Sequence, residues 1–285
     1  LSFMLARGGL LPVLTPALIG VSCVLIGMFV DPLYGFAPGC GALLLILSVF
    51  FAQFWRDPDR PIPKDAGVVV SPADGHVMFV RREKAVGRRP SKSEKNQIEK
   101  DELTGDWYPE PCEEPLSFQT EQRFVGVNKG EESDHDVWRI AIFMSPLDVH
   151  VNRSPITSEI IRMEHRTGKG LRRGPFLPAF KKESEFNERV RSLFKSPEGL
   201  IVEVTQISGA LARTIIPWVT EGVQLRRGER FGMIRLGSRV DIRVPARDYS
   251  PQVISAESKH PKHPKGEYVY AGSSILFRLQ LHEEE

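Results

Sequence analysis

Cysteine is scarce in this chain: Cys23, Cys40 and Cys112 are the only three in 285 residues. Two lie in apolar runs and one in a polar run, which offers neither a disulfide framework nor the close pairs of a zinc site and points to a reducing compartment. An excess of one charge is also missing. Lys and Arg number 38 against 36 Asp and Glu, a formal net charge of +2. No long basic stripe with interleaved aromatics occurs, so nucleic acid is not an expected partner. No internal repeat of fixed period is visible, and no Gly-x-Ser-x-Gly nucleophile elbow is present.

Apolar length at the front is abundant. Gly9 to Val30 and Tyr34 to Phe54 carry no charged side chain, with only Asp31-Pro32-Leu33 between them. About 20 residues at ~1.5 Å each cover a ~30 Å hydrocarbon core, so residues 1–55 are expected to form a transmembrane helical hairpin. A buried core hairpin, a re-entrant or surface-lying hairpin and a secretory signal are the alternatives. The second apolar run, following at once, argues against the signal. Arg7 before the pair and Arg56, Arg60 and Lys64 after it place both ends on the cytoplasmic side, because Lys and Arg are retained there.

At Arg56-Asp57-Pro58-Asp59-Arg60-Pro61-Ile62-Pro63 the prolines forbid a continuing helix, and a second domain is expected over 56–285. Val68-Val69-Val70 and Val77-Met78-Phe79-Val80 flank Ser71-Pro72-Ala73-Asp74-Gly75, which reads as strand, tight turn, strand. From about 81 to 136 the chain is dense in Lys, Glu, Arg and Pro and reads as a polar insertion. Within it Asp134-His135-Asp136 resembles a metal-ligand run, but without supporting ligands it reads better as a charged loop tip. Strand-like runs recur at Trp138–Met144, Leu200–Ile207, Arg230–Leu236, Val240–Val244 and Ser274–Leu281. Glu183 to Phe194 reads as a helix, with Phe186, Val190, Leu193 and Phe194 at helical spacing. The expected fold class is α+β: a β-rich domain preceded by the hairpin.

Chemistry enters through the dipeptide Gly-Ser. A serine oxygen that attacks the preceding carbonyl needs a strained backbone, and glycine tolerates conformations forbidden to other residues. The pair occurs twice, at Gly237-Ser238 and Gly272-Ser273. Alone, either is an ordinary turn. The first stands in Gly228-Glu229-Arg230-Phe231-Gly232-Met233-Ile234-Arg235-Leu236-Gly237-Ser238-Arg239-Val240-Asp241, which resembles the processing segment of phosphatidylserine decarboxylase proenzymes, closest to the short bacterial and archaeal type.

Further segments resemble that family in the same order. They are Arg56-Asp57-Pro58 with Pro61, Ser71-Pro72-Ala73-Asp74-Gly75, and Phe143-Met144-Ser145-Pro146-Leu147-Asp148-Val149-His150-Val151-Asn152-Arg153. Asn187-Glu188-Arg189 and Gln206-Ile207-Ser208-Gly209-Ala210-Leu211-Ala212-Arg213 complete the series. The resemblance covers roughly Arg56 to Pro245 apart from the insertion.

It implies a self-processing enzyme cleaved between Gly237 and Ser238, in which Ser238 becomes a pyruvoyl group that forms a Schiff base with the amine of phosphatidylserine. Loss of CO2 then yields phosphatidylethanolamine, with no metal required. By the same resemblance Asp74 and His150 assist. A histidine near neutral pKa oriented by a carboxylate suits removal of the serine proton. Longer relatives carry a second histidine where this chain has Arg153, which either binds a substrate phosphate or carboxylate or makes a surface salt bridge. Arg166, Lys169, Arg172 and Arg173 either face anionic headgroups or belong to a solvated loop. His260 and His263 receive no role.

The resemblance also implies that chains 1–237 and 238–285 stay associated, that a homo-oligomer is compatible, and that the domain works at the cytoplasmic face of the plasma (inner) membrane. Competing readings are a membrane-tethered serine hydrolase using Ser238 or Ser273 with His150, and an uncleaved lipid-binding β-domain without catalysis.

Overall fold

The computed structural model describes residues 4–30, 35–84, 99–100, 107–108, 136–166, 188–209, 214–235 and 237–280. They form two compact units: Leu1–Arg60 with Pro146–Val149, and Pro61–Ser145 with His150–Glu285.

In the first unit, helices α1 (Leu10–Phe29) and α2 (Phe36–Phe54) pack side by side. Each is long and apolar enough to cross a membrane, and most of their side chains face outward. A Cβ on Gly20 would come within 2.9 Å of the Gly41 carbonyl, so small residues set the close approach. Ser48 Oγ donates to the Val13 carbonyl at 2.8 Å across the pair. At the open end the two flanking segments meet: Ala6 N–H donates to the Trp55 carbonyl and Asp57 N–H to the Met4 carbonyl, both at 2.7 Å. Both flanks of the hairpin therefore lie at the same end.

The second unit is built from strands. In chain order they are β1 (Val68–Val70), β2 (Gly75–Lys84), β3 (Glu99–Lys100), β4 (Trp107–Tyr108), β5 (Asp136–Met144), β6 (Val151–Arg153), β7 (Ser158–Arg166) and β8 (Arg189–Lys195). Then follow β9 (Ile201–Ile207), β10 (Ile215–Pro217), β11 (Gln224–Leu225), β12 (Arg230–Ile234), β13 (Ser238–Pro245), β14 (Tyr249–Pro251), β15 (Tyr268–Val269) and β16 (Ile275–Leu279). Eight of them make an antiparallel sheet in the order β11-β7-β8-β9-β13-β5-β2-β15. Two three-stranded sheets, β10-β12-β6 and β1-β16-β14, and the pair β3-β4 complete the described strands.

Alternation along each strand decides what the large sheet faces. In β13, Val240, Ile242 and Val244 point to one side with Ile140 and Ile142 of β5 and Val204 of β9, and all are fully buried in the apolar core. Arg239, Asp241 and Arg243 point to the other.

The observed α+β architecture, two apolar helices followed by a strand-dominated domain, is the expected class. Two local expectations are corrected. Arg189–Lys195 is strand β8, not the end of a helix over 183–194; residues 183–187 lie outside the described residues. Val190, Ser192 and Phe194 face the core at period two, and β7 and β9 bond β8 from both sides. Of the apolar residues at helical spacing, Val190 and Phe194 lie on one face of the strand and Leu193 on the other, and Ser192 on the inner face hides the alternation.

The stretch expected as a polar insertion from about 81 to 136 starts with residues of a strand. Arg81 to Lys84 continue β2, paired with Arg139 to Asp136. Asp134, His135, Lys169, Arg172, Arg173, Asn187, Ala210 to Arg213 and Leu236 lie outside the described residues.

Candidate active site around Ser238

Strands β13 and β2, on either side of β5, carry Ser238 and Asp74 to one end of the large sheet. Ser238 opens β13 and pairs with Met144, the last residue of β5. On the other side of β5, His76 of β2 pairs with Phe143, so Asp74, just before β2, lies at the same end. With strands ~4.8 Å apart, the Asp74 and Ser238 backbones are separated by about 10 Å. His150 joins through the small sheet. Its carbonyl accepts the Ile234 N–H at 3.2 Å, three residues before Gly237.

Each position has a local cause. Gly75 has φ +147, and a Cβ there would land on the Phe143 carbonyl, so the Asp-Gly turn can enter β2 only with glycine. Within the turn Ser71 Oγ donates to the Ala73 carbonyl at 2.6 Å, and the Ala271 N–H donates to Asp74 Oδ1 at 2.8 Å. Asp74 and His150 are both buried. Gly237 has φ +62, in the left-handed region that side chains avoid. Ser238 is fully buried, and its hydroxyl donates to Met144 Sδ at 3.2 Å. The arrangement is a dry serine beside a left-handed glycine, with a buried histidine and carboxylate on neighbouring segments.

The two Gly-Ser pairs are thereby distinguished. Gly272 also has a positive φ, of +77, but Ser273 is partly exposed and its hydroxyl donates to the Pro61 carbonyl at 2.7 Å.

Arg153 is buried, not on the surface. Its Nη1 donates to the Gly228 carbonyl at 3.1 Å, and its backbone N–H donates to Pro72 in the Asp74 turn. His260 and His263 stack 5.5 Å apart in a turn remote in sequence from these segments.

A model of the phosphatidylserine decarboxylase family matches residues 47–277. The phosphatidylserine decarboxylase proenzyme of Symbiobacterium thermophilum is 35% identical over 240 residues, 84% of this chain and 83% of that protein. Those of Erythrobacter litoralis and Novosphingobium aromaticivorans are 35% and 34% identical over 237 residues, 83% of this chain and 76% and 75% of theirs. The chain belongs to the phosphatidylserine decarboxylase family.

Beyond Ser238, the far face of β13 is an ion cluster. Arg139 Nε donates to Asp241 Oδ2 at 2.8 Å and Arg239 Nη2 to the same oxygen at 2.6 Å, while Arg243 pairs with Glu203. The Phe79 ring lies against the guanidinium groups of Arg81, Arg139 and Arg239 at 4.5 to 5.4 Å. Burial alone would raise the Asp241 carboxyl, but Arg239 and Arg139 outweigh it and hold the group well below the usual carboxylate range. Arg139 reaches from β5 to Asp241 on β13, bracing the strand pair that sets Ser238 against Met144.

Two amides of the site escaped assignment from sequence. Gln206 Nε2 donates to Asn152 Oδ1 at 2.7 Å, and Asn152 Nδ2 donates to the Pro72 carbonyl at 3.3 Å. Both residues stand inside motif runs, and Gln206 interrupts an otherwise apolar inner face of β9. That interruption is the one signal in the sequence.

Proposed function

We propose that this chain cleaves itself between Gly237 and Ser238 and then decarboxylates phosphatidylserine to phosphatidylethanolamine. The supporting observation is the buried Ser238 at the start of β13, directly after a glycine with φ +62 and at the same sheet end as Asp74. The names of the similar proteins supply the substrate.

In the cleavage, Ser238 Oγ attacks the Gly237 carbonyl carbon, the C–N bond breaks, and an ester joins the two halves. His150, with Asp74 assisting, takes the hydroxyl proton. Removal of the Ser238 α-proton then expels the Gly237 carboxylate and leaves dehydroalanine. Water hydrolyses this to a pyruvoyl group with release of ammonia. Glycine suits position 237 because the left-handed turn admits no Cβ without strain, and its built position meets nothing within 4 Å.

The pyruvoyl carbonyl supplies the electron sink for loss of CO2. For the second reaction the chain's own residues bind the headgroup, keep water out and return a proton to carbon. We assign the proton to His150. Arg153, whose fork suits a phosphate or carboxylate, is assigned to the headgroup. No metal is invoked.

The hairpin is proposed to anchor the domain at the cytoplasmic face of the inner membrane, because positive residues flank its shared end. A cysteine placed at residue 32 should then react with an impermeant reagent in intact cells. Reaction only after lysis would reverse the topology.

Denaturing mass spectrometry tests the central reading. The expected result is two chains, 1–237 and 238–285, the second blocked by a pyruvoyl group. Ser238→Ala should remain one chain and release no CO2, whereas Ser273→Ala should split as the parent does. A Ser238→Ala protein that still splits, or a parent that stays whole yet is active, refutes the mechanism.

A further inference from the structure

The Asn152–Gln206 pair fixes which way its amides point. The Pro72 carbonyl can only accept, so Asn152 turns Nδ2 toward it; Asn152 Oδ1 is then an acceptor, and Gln206 gives it Nε2. Gln206 Oε1 is left over. Gln206 is fully buried, and this oxygen meets no donor among the described residues. A buried acceptor without a donor is destabilising, and one retained at a site calls for a ligand.

Its place narrows the ligand. Gln206 pairs with Val240, two residues along β13 from Ser238 and on the same face, so the two side chains are diagonal neighbours about 7–8 Å apart. Through Asn152 the amide is tied to the strand that follows His150, and through Pro72 to the Asp74 turn. A carbonyl oxygen there rejects phosphate and carboxylate, which present lone pairs of their own. It favours a group with donors and no acceptor, and a primary ammonium is such a group.

Resting on the decarboxylase reading above, we propose that Gln206 Oε1 receives the ammonium group of the aminophospholipid headgroup and distinguishes it from headgroups without an amine.

The test measures binding in full-length Ser238→Ala protein, which isolates recognition from chemistry, using dihexanoylphosphatidylethanolamine and dihexanoylphosphatidylglycerol in calorimetry. Adding Gln206→Met should weaken the amine lipid about 10- to 100-fold, the worth of a hydrogen bond to a charged donor, and leave the glycerol lipid unchanged. Adding Gln206→Glu keeps an acceptor and brings a negative charge. It should hold the amine lipid within about threefold, or tighten it, while weakening the anionic glycerol lipid.

Equal losses for both lipids in both variants, no loss in Gln206→Met as for a residue that holds only a water, or failure of both variants to fold would overturn the proposal. In otherwise wild-type protein, Gln206→Met decarboxylating phosphatidylserine with unchanged KM would sink this inference alone. A parent that releases no CO2 would sink the reading beneath it.

Discussion

Replacing Asp241 by alanine should destabilise the strand-built unit severely, because it strips two buried cations of a shared partner. Arg239 is 1% exposed and Arg139 8%, and both donate to the Asp241 carboxylate. Removing one member of a buried ion pair costs about 3–5 kcal/mol, mostly as uncompensated buried charge. For a domain of this size each kcal/mol lowers Tm by about 2–4 °C, so a fall of roughly 6–20 °C is expected at pH 7. Removing the half-exposed Arg81–Glu257 pair should cost less than about 1 kcal/mol and serves as the control.

The pH dependence carries a definite sign. The Asp241 carboxyl is held below its unfolded value of about 3.9, so the unfolded chain binds more protons in acid. Its stabilisation is complete above that value and is lost as pH falls through the lower folded value. The Tm gap between parent and Asp241→Ala should therefore be flat from about pH 7 to 5 and narrow below about pH 4. Near-ultraviolet circular dichroism of the detergent-solubilised protein reads both. A variant melting within about 2 °C of the parent at pH 7 would refute the reasoning, since the smallest loss expected is about 6 °C.

Two further outcomes concern the site. His150→Ala should slow chain splitting or CO2 release by about 100-fold or more, the usual worth of a positioned acid–base group, while His263→Ala leaves both intact; a gel time course and a CO2 assay measure them, and parental rates for His150→Ala would remove it from the mechanism. Gly75→Ala drives a Cβ into the Phe143 carbonyl and must shift the start of β2, carrying Asp74 with it. Splitting should slow by about 100-fold, and unchanged kinetics would show that the turn's position is unimportant.

Features carried by neighbours in the chain were legible without coordinates. The hairpin is a matter of apolar length, and the strand-rich class follows from β-branched runs such as Val68-Val69-Val70, which need no knowledge of partners. Membership in the family was also readable, from motifs in order.

Tertiary structure decided everything that depends on residues far apart. Arg189–Lys195 is a strand because β7 and β9 bond to it, although its apolar spacing suits a helix. Arg153 reads in sequence as either a headgroup ligand or a surface cation, and only the fold buries it and brings the Gly228 carbonyl to it. Asp241 stands in the sequence only as the end of a motif run, and β5 and β13 bury it between two arginines. Asp74 and Ser238 share a sheet end only because β2, β5 and β13 are neighbours in this register. A strand's own residues state which faces alternate; only its partners decide which face is buried and what it meets there.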